Sequence, residues 1–140
     1  MSGCCGGPSA CVFTKALLAH HARCELARRQ TAGESELVSC SSPVAHMNCA
    51  TLAALLRERS TFALRLPRSG APLEHAKALR LQCGGLGGLQ QALPDAQPDV
   101  HRMVQGAQER WGSLLHAPWA EIVAAVVAWQ PRRPRRGPPR

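Results

Sequence analysis

The sequence has no tyrosine, and aromatic residues make up only 4% of its 140 positions. It contains two aspartates, Asp95 and Asp99, among nine scattered carboxylates. Paired-carboxylate catalysis is therefore not expected, and a Cys–His nucleophile would lack a good candidate for its orienting residue. We expect a protein that is not an enzyme. No apolar run approaches the ~20 residues that a transmembrane helix needs, so we also expect no membrane span.

The N-terminus, MSGCCGGPSA, lacks both the basic segment and the apolar segment of a secretory signal. This predicts a cytoplasmic protein in a reducing environment, where structural disulfides are rare. Seven cysteines are present, and an odd number cannot form a complete set of intramolecular disulfides. The thiols are therefore expected to be buried side chains, metal or cluster ligands, or reactive groups.

The formal net charge is +8, and it is unevenly distributed. Residues 131–140, PRRPRRGPPR, hold five arginines and no acid, and the remainder has 12 basic and 9 acidic residues, a net charge of +3. We predict a flexible Cys/Gly-rich segment at 1–9, one globular domain at 10–130 and a disordered Arg/Pro-rich tail at 131–140. The tail could contact an acidic protein face or nucleic acid, although the absence of interleaved aromatics disfavours the latter.

Capping residues and hydrophobic periodicity predict a mostly α (α+β) fold, a small single domain of about five helices. Helices are expected over about 10–30, from Ser42 and Pro43, over 89–93, from Pro98 and Asp99 to Gly112, and from Pro118 to Pro131. An extended piece is expected at 37–38.

Alternation of Phe62, Leu64 and Leu66 predicts a strand, and Leu79, Leu81 and Cys83 alternate in the same way. Together they predict a β-hairpin of strands 61–66 and 77–82. The competing interpretation is a helix over 72–83, because that segment is rich in helix formers. All three tryptophans (Trp111, Trp119 and Trp129) fall in the last two predicted helices, where they should anchor the core.

Three of the seven cysteines (Cys4, Cys5 and Cys11) lie near the flexible start of the chain. The other four are distributed through the predicted folded part, and they are the candidate metal ligands. They are Cys24, Cys40, Cys49 and Cys83. Their spacing matches neither a zinc ribbon nor a ferredoxin motif. Four thiolates favour an iron–sulfur cluster, whereas a set that uses His46, one helical turn from Cys49, would favour zinc.

The segment that follows Cys83 is rich in glycine, with Gly84, Gly85, Gly87 and Gly88. Glycine lets a bulky group approach the backbone, so these residues are predicted to form a loop that donates amides to a bound cluster. Gln90 stands where a G-x-G-x-x-G fingerprint requires glycine, so a nucleotide site is not expected.

These features predict a redox or metal-handling accessory protein that carries an iron–sulfur cluster or zinc and works with a protein partner such as a redox enzyme. The alternative is a helical adaptor without a cofactor, in which the cysteines are merely buried and the basic tail docks on an acidic partner. Nucleic-acid binding through the tail is a third, less favoured, hypothesis.

The blocks VSCSSPVAHMNCATLAALLRER, FALRLP and KALRLQCGG resemble small proteobacterial proteins that accompany redox and nitrogen-fixation enzymes. The resemblance covers residues 38–90. It implies a link to redox metabolism and transfers no functional residue.

Overall fold

The computed structural model describes residues 10–67, 71–93 and 98–131. It confirms a mostly α (α+β) fold, in which the helices pack around a hydrophobic core and two strands form one antiparallel hairpin. The predicted flexible segment 1–9 and nearly all of the predicted tail lie outside the described residues. In chain order the elements are α1 (Thr14–Leu18), β1 (Ala27–Ala32), β2 (Ser35–Cys40), α2 (Pro43–Leu64), α3 (His75–Ala92), α4 (Val100–Trp111), a 3₁₀ turn (Leu114–His116) and α5 (Trp119–Ala128).

The hairpin lies earlier in the chain than the sequence predicted. β1 and β2 pair from Ala27↔Cys40 to Ala32↔Ser35, so the extended piece expected at 37–38 is part of β2. Gly33, at φ 63°, supplies the left-handed backbone conformation that so short a turn needs. The helix predicted over 10–30 is wrong, since α1 ends at Leu18 and His20 already has φ 62°.

Helix α2 begins where its capping residues predict. The Ser42 hydroxyl accepts a hydrogen bond from the Ala45 amide at 3.2 Å, and Pro43 occupies the first turn. The predicted strand 61–66 is wrong, because α2 continues to Leu64 and ends only at Arg65, which has φ 53°. Phe62 is 97% exposed rather than pointing to the core.

Helix α3 replaces both the predicted strand 77–82 and the predicted glycine loop, and the competing helical interpretation of 72–83 is confirmed. Glycine disfavours a helix by about 1 kcal/mol per residue, so contacts elsewhere must offset this cost. They come from α5. A Cβ on Gly84 would lie 2.8 Å from Val126 Cα, and one on Gly88 would lie 2.8 Å from Ala125 Cβ. The glycines therefore let two helix backbones approach closely.

Helices α4 and α5 agree with the sequence. Asp99 caps α4, Gly112 ends it at φ 77°, and α5 follows Pro118. Trp119 is buried and its indole N–H donates to the Leu114 carbonyl at 3.1 Å, which confirms its predicted core role. Among the described residues, no helix combines the length and apolar character required to cross a bilayer.

Asp99 joins two parts of the fold and provides a test of it. Its carboxylate is buried and accepts hydrogen bonds from the amides of Arg102, at 3.2 Å, and Glu25, at 2.9 Å. Loss of an N-cap costs about 1 kcal/mol, and an unsatisfied buried amide about 1–3 kcal/mol more. We therefore expect Asp99→Ala to lower the free energy of unfolding by about 2–4 kcal/mol in urea titrations.

The matched control for this substitution is Glu109→Ala, which removes an exposed carboxylate from the same helix. It should change stability by less than about 0.5 kcal/mol. If the two variants were equally stable, Asp99 would not join α4 to the segment that precedes the hairpin.

Candidate functional site

Four thiols from four parts of the chain line one small cavity of ≈ 10 Å³, which we call the thiol cavity. Cys11 precedes α1, Cys24 precedes β1, Cys40 ends β2, and Cys49 lies on α2. Cys49 is buried, the other three are half-buried, and all four are free thiols. A cavity of this size holds about one water-sized probe, so it leaves little free space between its lining residues. The remaining lining residues are Val12, Ala27, Ala45, His46, Val100 and His101.

Backbone pairing brings these segments together. The Cys11 amide donates to the Val38 carbonyl at 3.0 Å, and Ala10 forms a bridge with Ser39, so the chain before α1 lies beside β2. Cys24 leads into β1 through a hydrogen bond from the Ala27 amide to its carbonyl at 3.1 Å. The hairpin therefore positions three of the four thiols.

The thiols share an apolar and electrostatically coupled environment. Burial, with smaller contributions from the neighbouring Cys24, Cys11 and Cys40, raises the pKa of Cys49 to about 12. Burial also raises the pKa of Cys11 and of Cys24, with smaller contributions from other thiols and, for Cys24, from Asp99. A low pKa is what makes a cysteine reactive. In the absence of a bound cation, Cys11, Cys24 and Cys49 are therefore protonated and weakly nucleophilic at neutral pH.

Backbone amides nevertheless point at two of the sulfurs. The Phe13 amide lowers the pKa of Cys11, and the amides of Leu26 and His101 lower that of Cys24, although burial outweighs them. Hydrogen bonds of this kind stabilise the thiolate form and are found around metal-bound sulfurs. The Cys40 thiol instead donates to the Ser42 carbonyl at 3.3 Å.

Two histidines complete the lining of the thiol cavity. His46 Nε2 lies 2.9 Å from the Ala10 carbonyl, a contact that requires a proton on Nε2 and leaves only Nδ1 as a ligand atom. His101 Nε2 lies 3.7 Å from a Glu25 carboxylate oxygen. Both rings therefore already have a polar partner.

The structure brings together most, but not all, of the predicted metal ligands. Cys24, Cys40, Cys49 and the alternative ligand His46 line the thiol cavity. Cys83 does not; it lies on α3 in the main core, where burial alone raises its pKa to about 11. The fourth cysteine that lines the thiol cavity is Cys11. Sequence reasoning assigned it to a loose N-terminus, because its pairing with β2 joins segments that are distant in sequence.

The predicted cofactor-binding glycines form no loop in the structure. Gly84, Gly85, Gly87 and Gly88 lie inside α3, where backbone amides are engaged in helical hydrogen bonds. Gly84 and Gly88 face α5, and Gly85 faces Leu56. The structural reason for these three glycines is helix packing.

Within the described ranges, no group of three or more His, Cys, Asp or Glu side chains is preassembled to hold a metal ion. Comparison with other proteins adds no assignment. No family model, curated protein or solved structure matches the chain. The resemblance of residues 38–90 therefore gains no support from these comparisons.

Proposed function

We propose that this protein binds a single zinc ion through Cys11, Cys24, Cys40 and Cys49, and that the ion fastens the N-terminal segment and the hairpin onto α2. The observation that carries the proposal is the sharing of one small cavity by four thiols from four separate segments of the chain. Four thiolates form the ligand set of many structural zinc sites. The proposal describes a metal-binding accessory protein rather than an enzyme.

Binding requires an inward movement of the thiols, because no three of them are preassembled for a metal ion among the described residues. Zn–S bonds are about 2.3 Å long, so tetrahedral ligands stand ~3.8 Å apart. Three of the four ligands lie on or beside the hairpin and its paired N-terminal segment, which can adjust as a unit. The cation would displace the thiol protons and offset the burial and the smaller mutual repulsion that raise the pKa of Cys11, Cys24 and Cys49.

The dimensions of the thiol cavity favour one ion over an iron–sulfur cluster. At ≈ 10 Å³ it would have to expand greatly to admit several iron and sulfide ions, whereas a single ion needs only closer sulfurs. The hydrogen bond between His46 and Ala10 favours the four-cysteine set over a set that contains His46. Elevated thiol pKa values argue against a role as a thiol oxidoreductase.

Metal analysis of the purified protein tests the proposal. We expect about one zinc ion per chain after reconstitution under reducing, anaerobic conditions and removal of loosely bound metal. Cobalt substitution should produce the sulfur-to-metal charge-transfer absorption of a thiolate site. Cys49→Ala should lose most of the bound metal, and His46→Ala should retain it.

The matched control is Cys83→Ala, which removes an equally buried thiol away from the thiol cavity and should retain zinc. Equal metal loss in Cys49→Ala and Cys83→Ala, with native circular dichroism in both, would contradict the ligand set. Wild-type protein that takes up no zinc would refute the proposal, and iron with labile sulfide in place of zinc would support the cluster instead.

A further inference from the structure

A groove at the C-terminal end of α2, away from the thiol cavity, has a composition that the proposed zinc site does not explain. It has a volume of ≈ 490 Å³ and lies between the end of α2, the start of α3 and the residues after α5. An adjoining pocket of ≈ 370 Å³ shares Leu79, Trp129 and Pro131 with it and extends to His20 and His21. We call the two together the C-terminal groove.

The charge of the C-terminal groove is strongly one-sided. Arg65, Lys77 and Arg80 line it, and none of them forms an ion pair with a carboxylate among the described residues. Lys15 adds a fourth cation at the rim, because its ammonium lies 2.9 Å from Nδ1 of the groove residue His75. Glu74 is the single carboxylate in the lining. The described lining of the groove therefore has more cations than anions.

The base of the C-terminal groove is apolar. Leu79, Trp129 and Pro131 contribute to both of its parts. The Trp129 ring is half-buried and meets His21 edge-on, with centroids 5.3 Å apart. Trp129 is the one Phe, Tyr or Trp in the described lining, so the groove lacks the series of aromatic rings on which successive bases of a single-stranded nucleic acid stack.

We propose that the C-terminal groove binds an acidic, amphipathic helical segment of a partner protein. Its apolar side chains would pack on Leu79 and Trp129, and its carboxylates would pair with Arg65, Lys77 and Arg80. This follows the helix-in-groove mode, in which apolar anchors provide affinity and charges select the partner. The chain's own continuation beyond Pro131 is a poor occupant, because it carries five arginines and no acid.

Fluorescence anisotropy with a labelled peptide of about twelve residues, built from Glu and Leu at helical spacing, tests the proposal. We expect saturable binding that weakens as salt rises, and at least tenfold weaker binding to the double variant Lys77→Glu, Arg80→Glu. The matched control is Arg28→Glu, Arg110→Glu, which reverses two exposed arginines outside the groove and should bind within about twofold of wild type. Trp129→Ala should weaken binding without changing its salt dependence.

Three results would overturn the proposal. One is equal loss of binding in the groove variant and in its control. Another is full binding by the groove variant together with loss of binding when the five tail arginines are changed to Gln in the full chain. The third is tighter binding of an oligo-dT probe than of the peptide. None of these measurements requires bound zinc, so their outcome is independent of the proposed metal site.

Discussion

Gly84→Ala is expected to lower the free energy of unfolding by about 1–3 kcal/mol, an overpacking penalty. The added methyl group would lie 2.8 Å from Val126 Cα and 3.2 Å from the Ala125 carbonyl oxygen, both backbone atoms of α5. Backbone cannot rotate aside as a side chain can, so α3 and α5 would have to separate. Urea denaturation followed by circular dichroism measures the change. Gly88→Ala should behave similarly, since its methyl group would lie 2.8 Å from Ala125 Cβ.

Gly87→Ala is the matched control, with the opposite expected sign. Gly87 lies in the same helix, and a Cβ there would meet nothing within 4 Å. Alanine has the higher helix propensity, so this substitution should stabilise the protein by about 0.5–1 kcal/mol. If Gly84→Ala and Gly87→Ala shifted the urea midpoint equally, the close approach of α3 to α5 would be wrong.

Stability of the metal-free protein is expected to fall by several kcal/mol as the pH rises from about 9 to 12. The pKa of Cys49 is raised to about 12 and that of Cys83 to about 11, in both cases mainly by burial, from an ordinary value of 9.0. Over this range the thiol stays protonated in the folded chain but loses its proton in the unfolded chain, so rising pH favours unfolding. Each thiol contributes about 1.4 kcal/mol per pH unit until its folded-state pKa is reached. Below pH 9 neither thiol changes the stability.

Cys49→Ala should make the fall in unfolding free energy between pH 9 and 11 less steep by about 1.4 kcal/mol per pH unit. The control is Val104→Ala, a truncation at another buried position that lowers stability without removing a titrating group. For this variant, the plot of unfolding free energy against pH should run parallel to that of wild type. Anaerobic urea titrations with a chelator and a reducing agent give both profiles. A Cys49→Ala profile parallel to wild type would show that Cys49 ionises equally readily in both states.

Local signals in the sequence were sufficient to predict where three helices begin. Ser42 and Pro43 mark the start of α2, Asp99 and Gly112 bracket α4, and Pro118 precedes α5. Each signal acts through capping or through fixed backbone angles within a few residues, so it can be recognised in the sequence without knowledge of the fold.

Helix α3 and the set of clustered thiols depend on contacts that sequence position does not reveal. Four glycines in five residues predict a loop, and contacts with α5 and Leu56 explain why a helix forms there instead. Cys24, Cys40 and Cys49 were predicted as one group, and they do line one cavity. Cys83 lies outside that cavity and Cys11 lines it, because the position of Cys83 depends on the placement of α3 and that of Cys11 on the pairing between Ala10 and Ser39.

The pairing of Ala10 with Ser39 also affects whether two copies of the chain can associate through the edges of their sheets. An unpaired strand edge can recruit a strand from another molecule and so begin aggregation. Residues 10 and 11 cover part of the outer edge of β2, because they bond to Ser39 and Val38. The other outer edge belongs to β1, where the exposed Arg28 would repel the same residue of a second copy, whereas Arg29 pairs with Glu36 at 3.3 Å. The segment that brings Cys11 to the thiol cavity therefore also protects a two-stranded sheet from self-association.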